Sequence, residues 1–184
     1  MTEVLGLPRG RALTRADLKA MPDDGHRYEL IDGILVVSPS PLTIHQRISG
    51  NLYQLLRQCC PSDHEVMYAP LDVVLADDTV IQPDLVVAPI DDYGTAGMAV
   101  APTLAFEILS PSTRAVDLLL KKDRLRRAGC MNYWVVDPEG PSITAWALRD
   151  GDYVDAGNAV GRETLSLTDP FEIAVVPAEL TRRG

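Results

Sequence analysis

The chain contains no run of eighteen or more apolar residues, which excludes a membrane-spanning helix of ordinary length. Its first residues, Met1 to Arg11, lack the basic start and apolar stretch of a secretory signal, so a cytoplasmic location is expected. Cysteine is scarce: of three, Cys59 and Cys60 are adjacent and Cys130 is distant. That arrangement gives neither a disulfide framework nor a zinc spacing, and the thiols read as buried or half-buried. Positive charge is also short. A formal net charge of −9 argues against tight, non-specific DNA binding, which draws its strength from Lys and Arg on phosphates. No internal repeat, low-complexity segment, linker or basic arm interrupts the chain.

Among the 184 residues, 46% are hydrophobic and 23% charged, an ordinary globular balance with enough apolar material for a real core. One domain over 1–184 is expected, with a flexible N-terminus over 1–12. Thr14 to Ala20 predicts a short helix, capped by Thr14 with Asp17 three residues on. Two strands, 27–31 and 34–37, flank Asp32-Gly33, a tight-hairpin signal. Ile44, Ile48, Leu52, Leu55 and Leu56 form one apolar stripe on a helix from Thr43 to Cys60, which Pro61 helps end. Short strands follow at 65–68, 72–75, 79–81 and 84–88. Residues 91–102 read as a mobile loop of small and turn residues. Strand 104–109 is the most core-like of the chain, a helix runs on to Ala128 with Gly129 as its end signal, and 133–136 is a buried strand. A hairpin turns at Asp150-Gly151. The tail from Ala156 is weakly patterned, with Leu165, Leu167, Ile173 and Val175 suggesting one or two edge strands. The simplest architecture is α/β in the α+β sense, a mixed sheet flanked by a few helices.

Within this pattern two carboxylates are out of place. Asp84 opens the apolar run Leu85-Val-Val-Ala88, and Glu107 sits inside Ala105-Phe106-Glu107-Ile108-Leu109. A carboxylate in an apolar strand is costly unless it is paired, hydrogen-bonded or bound to metal. Two of them at the polar end of one sheet make an oxygen cage suited to a hard divalent ion. For Asp84 the plainer alternative is a turn after Pro83; for Glu107 it is a buried salt bridge, with Lys121 itself as partner. Lys121 lies four residues after Asp117, on the same face of the following helix, and begins a basic stretch with five of the chain's 17 Lys and Arg in seven positions. Its alternative is a solvated helix face. His45, at the start of the long helix, is a further candidate, although a hydrogen-bonded helix-terminal histidine is the simpler account. Ser110, Ser112 and Thr113 lack a Gly-x-Ser-x-Gly context, which leaves them a loop and cap role.

Several of these pieces together resemble a known group. Tyr28-Glu-Leu-Ile-Asp-Gly33, His45-Gln46, Gln82-Pro-Asp84, Glu107-Ile-Leu-Ser-Pro-Ser-Thr113, Asp117 with Lys121, Gly129 and Tyr133-Trp-Val-Val-Asp-Pro138 are similar to the Uma-type restriction endonuclease family of the PD-(D/E)XK nuclease superfamily. The resemblance spans roughly residues 14 to 150. It implies a restriction-endonuclease-like core with an N-terminal hairpin and a Mg²⁺ site, with Mn²⁺ as a substitute. By motif, Asp84 and Glu107 are catalytic acids and metal ligands, and Glu29 is an outer or second-metal ligand. The superfamily's lysine position, two residues after the second acid, holds Leu109, so the resemblance moves that role to Lys121. Gln82 joins the motif residues.

The expected activity is metal-dependent hydrolysis of phosphodiester bonds in nucleic acid, DNA first, with Lys122, Arg124 and Arg126 on the backbone and a homodimer to cut two strands. Two rivals stand beside it. One is a nuclease-fold binding or regulatory module without catalysis, suggested by the acidic charge. The other is a phosphodiesterase for small nucleotides.

Overall fold

The computed structural model describes residue 8 and residues 10–183, so most of the segment expected to be a flexible N-terminus, 1–12, lies outside the described residues. Local chemistry accounts for the first elements. Helix α1 (Arg15–Leu18) is a single turn, and Asp17 accepts from the Thr14 N–H at 2.8 Å and from its hydroxyl at 3.0 Å. Strands β1 (Arg27–Ile31) and β2 (Ile34–Ser38) pair antiparallel across Asp32 and Gly33, whose φ values are +50° and +75°. Two positive φ values give the turn the twist of its strands. Helix α2 (Thr43–Cys59) buries Ile48, Leu52 and Leu56, as its stripe requires.

Strands β3 (His64–Tyr68), β4 (Val73–Ala76), β5 (Thr79–Ile81) and β6 (Leu85–Pro89) follow. The segment 91–102 differs from the expected plain loop. It holds two-residue strands β7 (Tyr93–Gly94) and β8 (Gly97–Met98), and Met98 is buried, its N–H donating to the Asp72 carbonyl at 2.7 Å. Strand β9 (Leu104–Ile108) leads through a π-helical stretch, Val116–Lys121, directly into α3 (Lys122–Arg127). Gly129, at φ +84°, ends it. Then come β10 (Asn132–Asp137), β11 (Ser142–Arg149), β12 (Asp152–Val160), β13 (Leu165–Leu167), β14 (Ile173–Val175) and α4 (Pro177–Leu180). Both β12, which continues past Asp155, and α4 exceed the sequence expectation.

One sheet has the order β2-β1-β5-β4-β8-β7 and another β12-β11-β10-β9-β6-β3, while β13 and β14 pair with each other. In the second sheet β9 and β10 are parallel neighbours joined by the helical crossover, and the other pairs are antiparallel. Its central strands are buried on both faces, and alternate residues sort cleanly. Leu85, Val87, Leu104, Phe106, Ile108, Trp134 and Val136 pack with α2 in one core. Val86, Ala88, Ala105, Leu109, Tyr133 and Val135 pack with Ile31 and Ile81 of the first sheet and Leu125 of α3 in the other. Glu107 therefore points into the second core, between the two sheets. These mixed sheets with few helices are the α+β class that the pattern predicted.

Candidate active site

Strand register brings the two odd carboxylates together. In the antiparallel β6–β9 pair Leu85 stands opposite Phe106. One step further sets Asp84 opposite Glu107, and directly opposed residues share a face. The helical crossover supplies the next layer. Tyr133 anchors it, its hydroxyl donating to the Asp117 carbonyl at 2.8 Å. In the π-helical stretch Asp117 and Lys121 turn inward and are buried, whereas Leu119 and Leu120 face out. On β1, alternation places Arg27 and Glu29 on the same side as Ile31.

A continuous buried network results. The Lys121 ammonium lies 2.8 Å from Glu29 Oε1, 3.0 Å from Glu107 Oε1 and 3.5 Å from Asp117 Oδ1. Asp84 is held from three sides: Arg27 Nη1 donates to Oδ1 at 3.0 Å, the Ile108 N–H donates to Oδ2 at 2.8 Å, and His45 Nε2 lies 2.9 Å from Oδ2. Glu29 Oε1 also accepts the Gln82 N–H at 2.7 Å, and the Gln82 side-chain amide donates to Asp72 at 2.8 Å. Asp84, Glu107, Lys121, Glu29, His45 and Gln82 thus meet in one place.

Lys122, Arg124 and Arg126 are placed elsewhere. The Lys122 ammonium sits 3.4 Å from the centre of the Trp146 ring. Arg124 pairs with Asp32 at 2.9 Å, and Arg126 pairs with Asp123 at 2.9 Å.

Charge in the network is unbalanced. The four buried carboxylates of Glu29, Asp84, Glu107 and Asp117 face two cations, Arg27 and Lys121, a formal −2 before His45 is counted. Burial drives the Glu107 carboxyl well above its ordinary value; Lys121 opposes this, while Asp84, Asp117 and Glu29 add to it. Burial raises Asp117 in the same way. Burial also works against ionisation of Asp84, but the His45 hydrogen bond and the charges of His45, Arg27 and Lys121 override it and hold this carboxyl well below the usual carboxylate range. For Lys121 burial favours the neutral amine, and the surrounding carboxylates outweigh it, so the ammonium is retained.

Glu107 Oε2 is buried with no hydrogen-bond partner. An unpartnered carboxylate oxygen in a cluster of formal charge −2 suits a hard divalent cation in donor type and in charge. Among the described residues no three His, Cys, Asp or Glu side chains are placed to hold an ion together as they stand. The position among Glu29, Glu107 and Asp117 is taken by Lys121 Nζ. A cleft of about 1060 Å³ opens above, lined by Arg27, His45, Gln82 and Asp84. Glu107 and Lys121 lie behind that layer.

Two members of the network were not among the expected site residues. Arg27 was signalled by strand period, two residues before Glu29. Asp117 was signalled by its four-residue spacing to Lys121.

The sequence profile of the Uma2 family, described as "Putative restriction endonuclease", matches residues 15–180. The chain belongs to this family. The match continues well past residue 150, where the motif resemblance stops, and takes in β12 to α4. The Uma2 chain is also similar to a solved structure, "a putative nuclease belonging to DUF820" from Anabaena variabilis. The two superpose with a TM-score of 0.71 over 92% of this chain and 97% of that one, at 15% identity. That likeness shows a shared fold, in keeping with a restriction-endonuclease-like core. No curated protein matches the Uma2 chain.

Proposed function

We propose that this Uma2-family protein is a divalent-cation-dependent endonuclease that hydrolyses phosphodiester bonds of nucleic acid, DNA in the first instance. The observation that carries the reading is the buried, undercompensated carboxylate cluster, with a free Glu107 Oε2, beneath a cleft of about 1060 Å³. Asp84 and Glu107 are the metal ligands in this reading and Glu29 an outer ligand. Mg²⁺, or Mn²⁺ in its place, supplies Lewis acidity and an acidified water when bound there.

The chain's own residues do the rest. His45, Arg27 and the Ile108 N–H keep Asp84 ionised and fix its orientation, so that a charged oxygen ligand is present at neutral pH. Lys121 supplies positive charge against that developing on the phosphoryl oxygens. The protein removes most bulk water from these groups, which strengthens each electrostatic contact. Lys122, Arg124 and Arg126 serve as a surface for flanking backbone, exchanging their present partners for phosphates. A homodimer places two such sites for two strands. No helix among the described residues is long and apolar enough to cross a membrane, and a cytoplasmic setting, where nucleic acid is available, suits the activity.

One observation favours a second reading, a binding module of nuclease fold without catalysis: Lys121 already fills the space among three carboxylates. Calorimetric titration with Mn²⁺ separates the two. The nuclease reading expects saturable binding that Asp84→Ala and Glu107→Ala abolish. Heats indistinguishable from dilution favour the binding module.

A further inference from the structure

Of the two cations in the buried network, Lys121 lies behind the cleft wall and Arg27 forms part of it. The Arg27 Nη1 is committed, donating to Asp84 Oδ1 at 3.0 Å and to the Gln82 carbonyl at 3.4 Å. Its Nε stands 3.6 Å from Glu29 Oε2, beyond hydrogen-bond reach. Nη2 makes no hydrogen bond to any described residue. A guanidinium has five N–H donors in a fixed plane, so this one is anchored on one edge and unspent on the other.

A second group beside it is also unspent. Ser38 stands directly opposite Arg27 in the β1–β2 register, and opposed residues of an antiparallel pair share a face. Ser38 is only 3% exposed, yet it lines the same cleft, and its hydroxyl oxygen has no hydrogen-bond partner. A buried hydroxyl without a partner is costly to the fold. Together Arg27 and Ser38 present a cation and a hydroxyl donor, side by side, at the cleft wall next to Asp84.

We propose that Arg27 and Ser38 form a phosphate cradle, in which the free N–H groups of Arg27 and the Ser38 hydroxyl donate to non-bridging oxygens of a nucleic-acid strand in the cleft while Nη1 keeps its hold on Asp84. This rests on the nuclease reading and deepens it. Behind Arg27, the four carboxylates and Lys121 carry a formal −3 and repel an approaching phosphodiester, and Arg27 is interposed between the two. The planar fork matches a phosphate's paired oxygens, which an ammonium does not. The arginines of α3 face Asp32, Asp123 and Asp152 instead, and none of them lines the cleft. The cradle thus fixes where a strand lies relative to Asp84.

The test is fluorescence anisotropy of short labelled DNA, single-stranded and duplex, in EDTA so that no cleavage intervenes. Ser38→Ala is the decisive variant, because it removes a hydroxyl that the fold leaves unpaired. It is expected to melt at or above the wild-type temperature and yet to bind about threefold to tenfold more weakly. Arg27→Met is expected to lose about tenfold or more and to give a shallower dependence of affinity on salt, by about one phosphate contact. Arg27→Lys recovers only part of the loss. Arg149→Met, in an exposed pair with Asp169 away from the cleft, binds as wild type does. Full affinity in Ser38→Ala together with Arg27→Lys overturns the cradle and leaves the nuclease reading standing. Wild-type protein that binds neither DNA in EDTA also overturns the cradle, and the nuclease reading then stands or falls on cleavage with Mg²⁺ or Mn²⁺.

Discussion

Replacing Lys121 by Met keeps most of the side chain's volume and removes one positive charge from the centre of the network. Three carboxylates then lose their shared partner: Glu29 at 2.8 Å, Glu107 at 3.0 Å and Asp117 at 3.5 Å. None of them is more than 2% exposed, so water cannot take the ammonium's place. Removing one partner of a buried ion pair costs about 3–5 kcal/mol. In a chain of 184 residues each kcal/mol moves Tm by about 2–4 °C, so the expected fall is roughly 6–20 °C. Thermal unfolding followed by circular dichroism in EDTA at neutral pH measures it. A double variant, Lys121→Met with Glu107→Gln, removes one orphaned charge with its counterion and is expected to recover about 1–3 kcal/mol of the loss. Mg²⁺ should also raise Tm more in Lys121→Met than in wild type, because the formal charge of the cluster has moved from −2 to −3. If Lys121→Met melts within about 2 °C of wild type, the ammonium is not the counterion that holds this network.

Three further outcomes are expected. The folded carboxyl of Glu107 titrates above its ordinary value, so its contribution to stability is complete below that value and drains away as pH rises through the folded one. Urea melts across a pH series should therefore show Glu107→Gln gaining on wild type from acid towards neutral pH; a flat difference contradicts this. Asp84 has the opposite sign: its contribution is present above the ordinary value of 3.8 and lost as pH falls below it, so Asp84→Asn is the weaker protein at neutral pH and the gap closes in acid. Gly33→Ala combines a φ of +75° with a Cβ only 2.5 Å from that of Ala12. It should cost about 1–3 kcal/mol in urea melts and lower any cleavage rate with it, since the same hairpin carries Arg27 and Glu29.

The elements legible in the sequence were those with strong local determinants. Asp32-Gly33 specified a turn that only positive φ satisfies, the α2 stripe specified a buried face, and Gly129 specified a helix end. Glu107 was legible for the same reason as the core strand around it: a charge among apolar neighbours demands a partner. Its plainer alternative, a salt bridge to Lys121, is in fact present at 3.0 Å. What the sequence did not display depends on tertiary contacts. Two-residue strands such as β7 and β8 are too short to show alternation, and Met98 is buried only because β8 meets β4. The far half of β12 alternates poorly because it lies at a sheet edge, with much of its length exposed. The basic run at 121–127 looked uniform, yet Lys121 alone turns inward at the end of the π-helical stretch, while the residues after it are spent on Trp146, Asp32 and Asp123. Strand period placed Arg27 beside Glu29, but its partnership with Asp84 needed the meeting of two sheets.

Whether these carboxylates make a metal-dependent phosphodiesterase is decided by a cleavage assay. Purified protein is incubated with plasmid, single-stranded DNA and RNA, each with Mg²⁺, Mn²⁺ or EDTA, beside folded Asp84→Asn and Glu107→Gln variants. The expected result is cleavage of at least one substrate with metal, none in EDTA, and none by either variant. Intact substrates throughout, or equal cleavage by the two variants, would contradict it.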